Sequence, residues 1–568
     1  MSASQPQPSI SHSERLFPNP DGSSEQIKAL SLSDAITVNY LATSAVWFFE
    51  GPEQPLPFDL VDHLRQSLRV TLAAYPQWCG RLKAITSVDG PFTAAEQQFA
   101  PHARRFGRVY VQYGTRQDPG VEFITAHTTA TLEELHPSSR TTSQPLWDQG
   151  KGSPSNFGAA TQLAHPLKPP TVSDANALPP PIMAIQLTTL GCGGFALAAK
   201  IAHPLADASS LVRFVKDWAS VSRSVLLGVA TPSLTPVFEP ERLDAFVAGD
   251  VNAATADESI IQRTEDLPFH RYDWWNPCLG YPQAASVPEA FQGQEIPPAG
   301  KPIPWSEWDT SAPVSHYVLH LSHDQVEAIW QQASDSDTHL SRTRIRAQTR
   351  LSRHDAVLAH IWASINRARR LQNDGGPVHC DLTYGFRPAF QLDDAFMGNA
   401  NVMVNVEMTG AEVTTTVEAD GRPTAVLPPI AQRIRQTLTR VRDPTLLAAH
   451  LHRLAYETSP QRIWQGFLGD RHIMVTTWAR AGLYEVDFGL GPLPTARYAD
   501  GLLANLDGLL LIKEAPPGRR SEVDGQSPPI WTEYGVDVQL HLRTEVMDRL
   551  IQDPALLSFE SFRGGREG

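Results

Sequence analysis

Only four of the 568 residues are cysteine, and Cys79, Cys192, Cys278 and Cys380 stand far apart with no CxxC pair. That scatter excludes a disulfide framework and a zinc knuckle and reads as free or buried thiols in a reducing compartment. HExxH is absent, so the helical zinc-hydrolase arrangement has no ligands, and no metal site is expected. GxSxG is absent too, which removes the strained serine elbow of the α/β-hydrolases. No apolar run approaches the ~20 residues of a membrane-spanning helix. The opening MSASQPQPSISHSERLF holds no apolar core of a signal peptide, so a cytoplasmic protein without membrane contact is expected. Basic residues are also scarce, 47 against 61 acidic, for a formal net charge of −14. That balance excludes a nucleic-acid partner and requires any anionic ligand to be met by a local cluster of cations.

What is present is globular: 41% hydrophobic and 19% charged residues, in a chain long enough for two domains. The first 25 residues are rich in Ser, Pro and Gln and predict a frayed tail. Val61, Leu64, Leu68 and Leu72 recur at helical spacing behind a candidate N-cap, Asp59, and Tyr75-Pro76 ends that pattern. Strand patterns follow at 108–112 and 121–124, and a Ser-, Pro- and Gly-rich stretch at 138–181 reads as a long loop. Residues 182–190 and 195–201 read as strands joined by a glycine turn at 191–194. The irregular stretch 235–315 is the natural crossover between two halves, 26–234 and 316–568. In the second half, 316–321 predicts a strand, 325–332 a helix, and Ser352-Arg353-His354-Asp355 a capping box opening another helix. Val536, Val538, Leu540 and Leu542 alternate with polar residues as in a half-buried strand. The class is mixed α/β (α+β).

The chemistry concentrates at His203-Pro204-Leu205-Ala206-Asp207. A strand running through Ile201 delivers His203 at its carboxyl end, where Pro204 breaks the ladder. Asp207 stands at the start of the following helix, whose apolar face carries Leu211, Phe214, Val215 and Trp218. A histidine at a sheet mouth titrates near neutrality and is suited to take a proton from an attacking hydroxyl or amine. HxxxD by itself is weak; an N-cap beside a loop histidine gives the same letters, and Ala164-His165-Pro166-Leu167 repeats part of the run without the aspartate.

Other segments agree with it in order and spacing. Tyr75-Pro76-Gln77-Trp78-Cys79-Gly80-Arg81-Leu82, Gly193-Gly194-Phe195, Phe386-Arg387-Pro388 with Gly398-Asn399, Thr476-Thr477-Trp478 and Asp487-Phe488-Gly489-Leu490-Gly491 span nearly the whole chain. Together they resemble the BAHD acyltransferase family, closest in flavour to fungal secondary-metabolite O-acyltransferases such as those acetylating trichothecenes. Leu490 replaces the tryptophan of the family's DFGWG element, and Ala208 its glycine after HxxxD.

The resemblance implies two chloramphenicol-acetyltransferase-like domains with a substrate tunnel between them, the segment near 470–490 crossing back to the first. It implies an acyltransferase of the EC 2.3.1 type, expected as a monomer without a permanent cofactor. An acyl group, acetyl by default, would pass from acyl-CoA as co-substrate to a small hydroxyl or amine acceptor. His203 would be the general base, Asp207 its structural partner paired with Arg387, and Thr476 and Trp478 the oxyanion or substrate-positioning residues. Asp487, Phe488, Gly489 and Gly491 would form a structural turn. Arg342, Arg344 and Arg346 lie in an acid-free run, 341–353, and are candidate contacts for the CoA phosphates. Two alternatives stay open: a condensation-domain-like enzyme using a carrier-protein thioester, although Ala202 stands where such domains carry a second histidine, and a non-catalytic relative that only binds ligand.

Overall fold

The computed structural model describes residues 7–18, 24–137, 146–148, 153–168, 178–276, 287–334, 350–414, 427–490, 496–517 and 530–557. Two apolar runs, Thr43–Phe49 and Phe195–Ile201, lie side by side near the centre of a six-stranded sheet and are buried almost throughout. Strands covered on both faces read as continuous apolar runs. The order in this sheet is Ser9–Leu16, Val121–His127, Met183–Thr189, Phe195–Ile201, Thr43–Phe49 and Tyr498–Gly501. Val121–His127 and Met183–Thr189 run parallel, and every other pair is antiparallel.

A second, seven-stranded sheet runs Asn401–Thr409, Pro377–Gly385, His472–Thr477, Leu509–Glu514, Val536–Arg543, Val314–Leu321 and Leu146–Asp148. His472–Thr477 is parallel to both of its neighbours. The fold is therefore mixed α/β. Helices cover the sheets as their periodicity dictates. Leu60–Leu72 is capped by Asp59, which accepts from the Asp62 amide, and buries Leu64, Leu68 and Leu72. It packs on Ala208–Leu227 through a hydrogen bond from Trp218 Nε1 to Ser67 Oγ (2.9 Å). Ser352 and Asp355 form the expected capping box at the start of Arg353–Ala368.

Four expectations need correction. The N-terminal tail is not frayed from end to end: Ser9–Leu16 pairs with Val121–His127, Leu16 is buried, and Ser13 Oγ donates to Glu122 (2.8 Å). A polar edge strand draws its stability from its partner, so composition hides it. The 138–181 stretch is not only loop, because Leu146–Asp148 extends the second sheet and Phe157 packs against Phe48. The segment near 470–490 divides: His472–Thr477 stays in the second sheet, while Leu483, Val486, Phe488 and Leu490 enter the first core. The strand that joins the first sheet is Tyr498–Gly501. Finally, Val536–Arg543 is buried on both faces. Asp537 meets His320 (2.8 Å) and Lys513 (3.5 Å), and Gln539 donates to the Gly501 carbonyl, so its polar face lies against other protein groups rather than water.

Candidate active site

Phe195–Ile201 is pinned between two antiparallel neighbours, and a single turn follows at His203–Leu205. The turn fixes His203 from two sides. Its carbonyl accepts from Asn399 Nδ2 (2.7 Å), and its ring meets Tyr40 edge-on, with centroids 5.4 Å apart. Nδ1 is enclosed and has no hydrogen-bond partner, while the residue as a whole keeps part of its surface accessible. Burial lowers the His203 pKa from the ordinary imidazole value, opposed by the Asp207 charge and by hydrogen bonding that includes Asn399. The neutral ring is the form favoured.

Asp207 caps the helix Ala208–Leu227, accepting from the Ser210 amide (3.0 Å) and hydroxyl (3.0 Å). Its two oxygens also take a fork from Arg387: Nη1 to Oδ2 at 2.6 Å and Nη2 to Oδ1 at 2.9 Å. Burial raises the Asp207 pKa, but the Arg387 charge and these hydrogen bonds outweigh it and hold the carboxyl below its usual range. Among the described residues, the donors to Asp207 are Arg387 and Ser210, and the imidazole is not one of them. Arg387 continues to the Gly398 carbonyl (3.0 Å), so the pair ties the helix start to the loop that carries Asn399.

Asn399 is held in turn. Its amide and Nδ2 both donate to Asp34 Oδ1 (2.8 and 3.0 Å), and Asp34 Oδ2 accepts from the Ser31 amide (3.0 Å) and hydroxyl (2.7 Å). Burial lifts Asp34 to about 6 despite the hydrogen bonds from Ser31 and Asn399. Asp34, Tyr40 and Trp464, whose ring stacks edge-on with Tyr40 at 5.1 Å, were not identified from the sequence. Only the Ser31-to-Asp34 spacing of a capping box carried a signal.

Thr476 and Trp478 lie at the end of His472–Thr477 and just beyond it. Thr476 is partly buried beside Leu511. Trp478 is buried within the first core, and its amide donates to the Ile512 carbonyl (2.8 Å).

A family model described as Transferase family matches residues 114–499. The chain belongs to that family, the BAHD-type acyltransferases. Among curated relatives, acyltransferase AFT15-1 of Alternaria alternata is 27% identical over 538 residues, covering 91% of each chain. Acyltransferase abl6 of Leptosphaeria maculans is 25% identical, covering 97% of this chain and 98% of its own. Among solved structures, F. sporotrichioides TRI101 complexed with coenzyme A and T-2 matches with a TM-score of 0.57 at 15% identity, covering 93% of this chain and 97% of its own. Vinorine synthase matches with 0.55 at 15%, covering 97% and 98%. These neighbours share the two-domain, chloramphenicol-acetyltransferase-like fold, and the present chain is an acyltransferase enzyme.

In this BAHD-type acyltransferase the Asp487 segment is a turn packed on the helix Ala208–Leu227. Asp487 pairs with Arg223 (2.8 Å) and accepts from the Gly489 amide (2.8 Å). Phe488 is buried edge-on to Trp218 and Phe49. Gly489 has φ of +72°, and a Cβ there would come within 2.9 Å of Arg223 Cγ. Leu490 is buried in the same core, whereas Gly491 lies outside the described residues. Arg342, Arg344 and Arg346 lie outside them as well. Arg353, from the same basic run, is paired with Glu327 (Nη2 to Oε2, 3.0 Å) and sits over the Trp330 ring.

Proposed function

We propose that this acyltransferase moves an acyl group, acetyl by default, from CoA to a hydroxyl or amine of a small acceptor, with His203 as general base. The carrying observation is the division of labour between the motif's two polar residues. Asp207 is fully engaged by Arg387 and Ser210, while the imidazole is neutral by preference, packed edge-on against Tyr40 on a backbone held by Asn399, and not fully enclosed. The ring's less enclosed edge, carrying Nε2, takes the acceptor's proton as the nucleophile attacks the thioester. The resulting imidazolium then protonates the departing CoA thiolate. No acyl-enzyme is needed, because the thioester is already activated and positioning two substrates supplies much of the rate.

Thr476 and Trp478 are assigned to the oxyanion, a donor contribution typically of about 3 kcal/mol each. The acid-free arginine run is assigned to CoA phosphate, so Arg344→Ala with Arg346→Ala is expected to raise KM for acyl-CoA while sparing that of the acceptor. A small-molecule acceptor beside CoA is supported by TRI101 having been solved with coenzyme A and T-2. Tyr40 and Trp464 form an aromatic wall beside the His203 ring, which we assign to the acceptor.

The test is product mass spectrometry with a panel of acyl-CoAs and acyl-carrier proteins, on wild type and His203→Ala. We expect acyl-CoA-dependent product, and a mutant that keeps its fold but loses about 10²–10⁴-fold in kcat. Undiminished turnover by folded His203→Ala sinks the mechanism. Turnover with carrier-bound donors alone sinks the donor assignment.

A further inference from the structure

We propose that His270, Asp381 and His472 form a binding site for one divalent metal ion of zinc type. The three residues come from the crossover, from Pro377–Gly385 and from His472–Thr477, and their ligand atoms all lie within 4.8 Å of one another. His270 Nε2 is 3.1 Å from Asp381 Oδ1, and His472 Nδ1 is 3.2 Å from Asp381 Oδ2. Ligands on a tetrahedral ion with bonds of about 2.0–2.1 Å sit about 3.3–3.4 Å apart; the two His-to-Asp381 separations are near this, each to a different carboxylate oxygen, and the set as a whole closes within 4.8 Å. Two imidazoles and a carboxylate are donors suited to Zn²⁺.

The independent observation is a pair of buried polar atoms that the protein leaves without hydrogen bonds. Asp381 is completely buried, and its Oδ1 faces the enclosed His270 Nε2 at 3.1 Å in an ion-pair contact whose direction does not make a hydrogen bond for either atom. A buried pair that lacks a directed hydrogen bond is less well satisfied than one that makes it. An ion between them would satisfy both. The remaining atoms are already oriented as supporting contacts. Asp381 Oδ2 accepts from the Phe467 amide (2.9 Å), and the far nitrogen of His472 lies 3.6 Å from Glu307 Oε2. A carboxylate behind a metal-binding imidazole fixes its tautomer and strengthens it as a ligand. Asp381 and Glu307 together offset the charge of a divalent ion. His379 stacks on His472 at 4.4 Å, with its Nδ1 bonded to Asn405 rather than turned to the cluster.

The ion's place in the fold gives it a structural task. His270 precedes Tyr272–Asp273, which pairs with Ile463–Trp464, and Trp464 carries the aromatic wall to Tyr40 and His203. Coordination would staple this part of the crossover to the second sheet behind that wall. No local motif reveals the ligands, since Asp381 and His472 alone are 91 positions apart.

Tag-free full-length protein, stripped with a chelator and desalted, should be titrated with Zn²⁺ and then with Co²⁺, whose visible absorption reports its ligands. We expect one equivalent per chain to survive desalting, a raised Tm, and a four- or five-coordinate cobalt spectrum. His270→Ala should abolish that equivalent, and Glu307→Gln should weaken it about 10–100-fold. His270 lies at the edge of the cluster, so its variant remains informative even where Asp381→Asn fails to fold. Failure of wild type to retain the ion, or equal retention by His270→Ala, overturns the proposal. Neither result depends on acyl transfer being observed.

Discussion

As the proposed base, His203 is competent only while its ring is neutral, and that condition fixes the sign of the pH response. Burial lowers its pKa from the ordinary 6.5, more than the Asp207 charge and the Asn399 contact raise it. The protonated form therefore accumulates only below that value, and activity is lost as the pH falls through it. We expect kcat/KM for the acceptor to reach its plateau by about pH 7 and to decline on the acid side with one proton. A profile still climbing well above neutrality would assign the essential proton to another group. The same scale shows what a sequence can and cannot reveal about a site. His203, Asp207 and Arg387 were found because each sits in a run of distinctive residues. Asp34, Tyr40 and Trp464 approach them through tertiary packing, with no periodicity or motif to mark the approach.

Secondary elements decide how the Asp207–Arg387 pair is used. Asp207 is both the N-cap of Ala208–Leu227 and the anchor for a guanidinium that bonds the Gly398 carbonyl. Both side chains are about nine-tenths buried, so solvent screens the pair little. Replacing Arg387 with methionine leaves an uncompensated carboxylate at the helix start, a loss of about 3–5 kcal/mol by analogy with other broken buried pairs. The double variant Asp207→Asn with Arg387→Met should recover part of that loss, because no charge is then stranded. Urea unfolding of the two variants checks this, and equal midpoints would sink the claim. Helices and central strands were legible because their own residues carry the pattern: Leu64, Leu68 and Leu72 on one face, or Phe195–Ile201 as an apolar run. Ser9–Leu16 and Leu146–Asp148 were not. An edge strand is defined by the neighbour it pairs with, and the register of Ser13 against Ile124 appears nowhere in its composition.

At the scale of the whole molecule, neither sheet is completed by its own half of the chain. Leu146–Asp148 closes the second sheet and Tyr498–Gly501 the first. Lys513 stands where the exchanged strand meets the second sheet. It is fully buried, 3.5 Å from Asp537 and 3.8 Å from Asp500, donates to the Ala499 carbonyl (2.8 Å), and lies 4.2 Å from the centre of the Tyr498 ring. Burial raises the Asp500 pKa, and the nearby ammonium is the chief opposing influence. One cation thus offsets carboxylates from both sheets, and its removal leaves Asp500 with the Tyr498 hydroxyl (2.7 Å) and Asp537 with His320 (2.8 Å) but neither with the shared ammonium. Lys513→Met should cost about 3–5 kcal/mol. Because the exchanged strands couple the halves, the loss should appear as a shift of one cooperative urea transition, followed by tryptophan fluorescence and by far-UV circular dichroism together. Adding Asp500→Asn and Asp537→Asn to Lys513→Met should restore part of the midpoint. Two separate transitions in wild type, or an unchanged midpoint in Lys513→Met, would mean that this buried charge cluster does not join the halves.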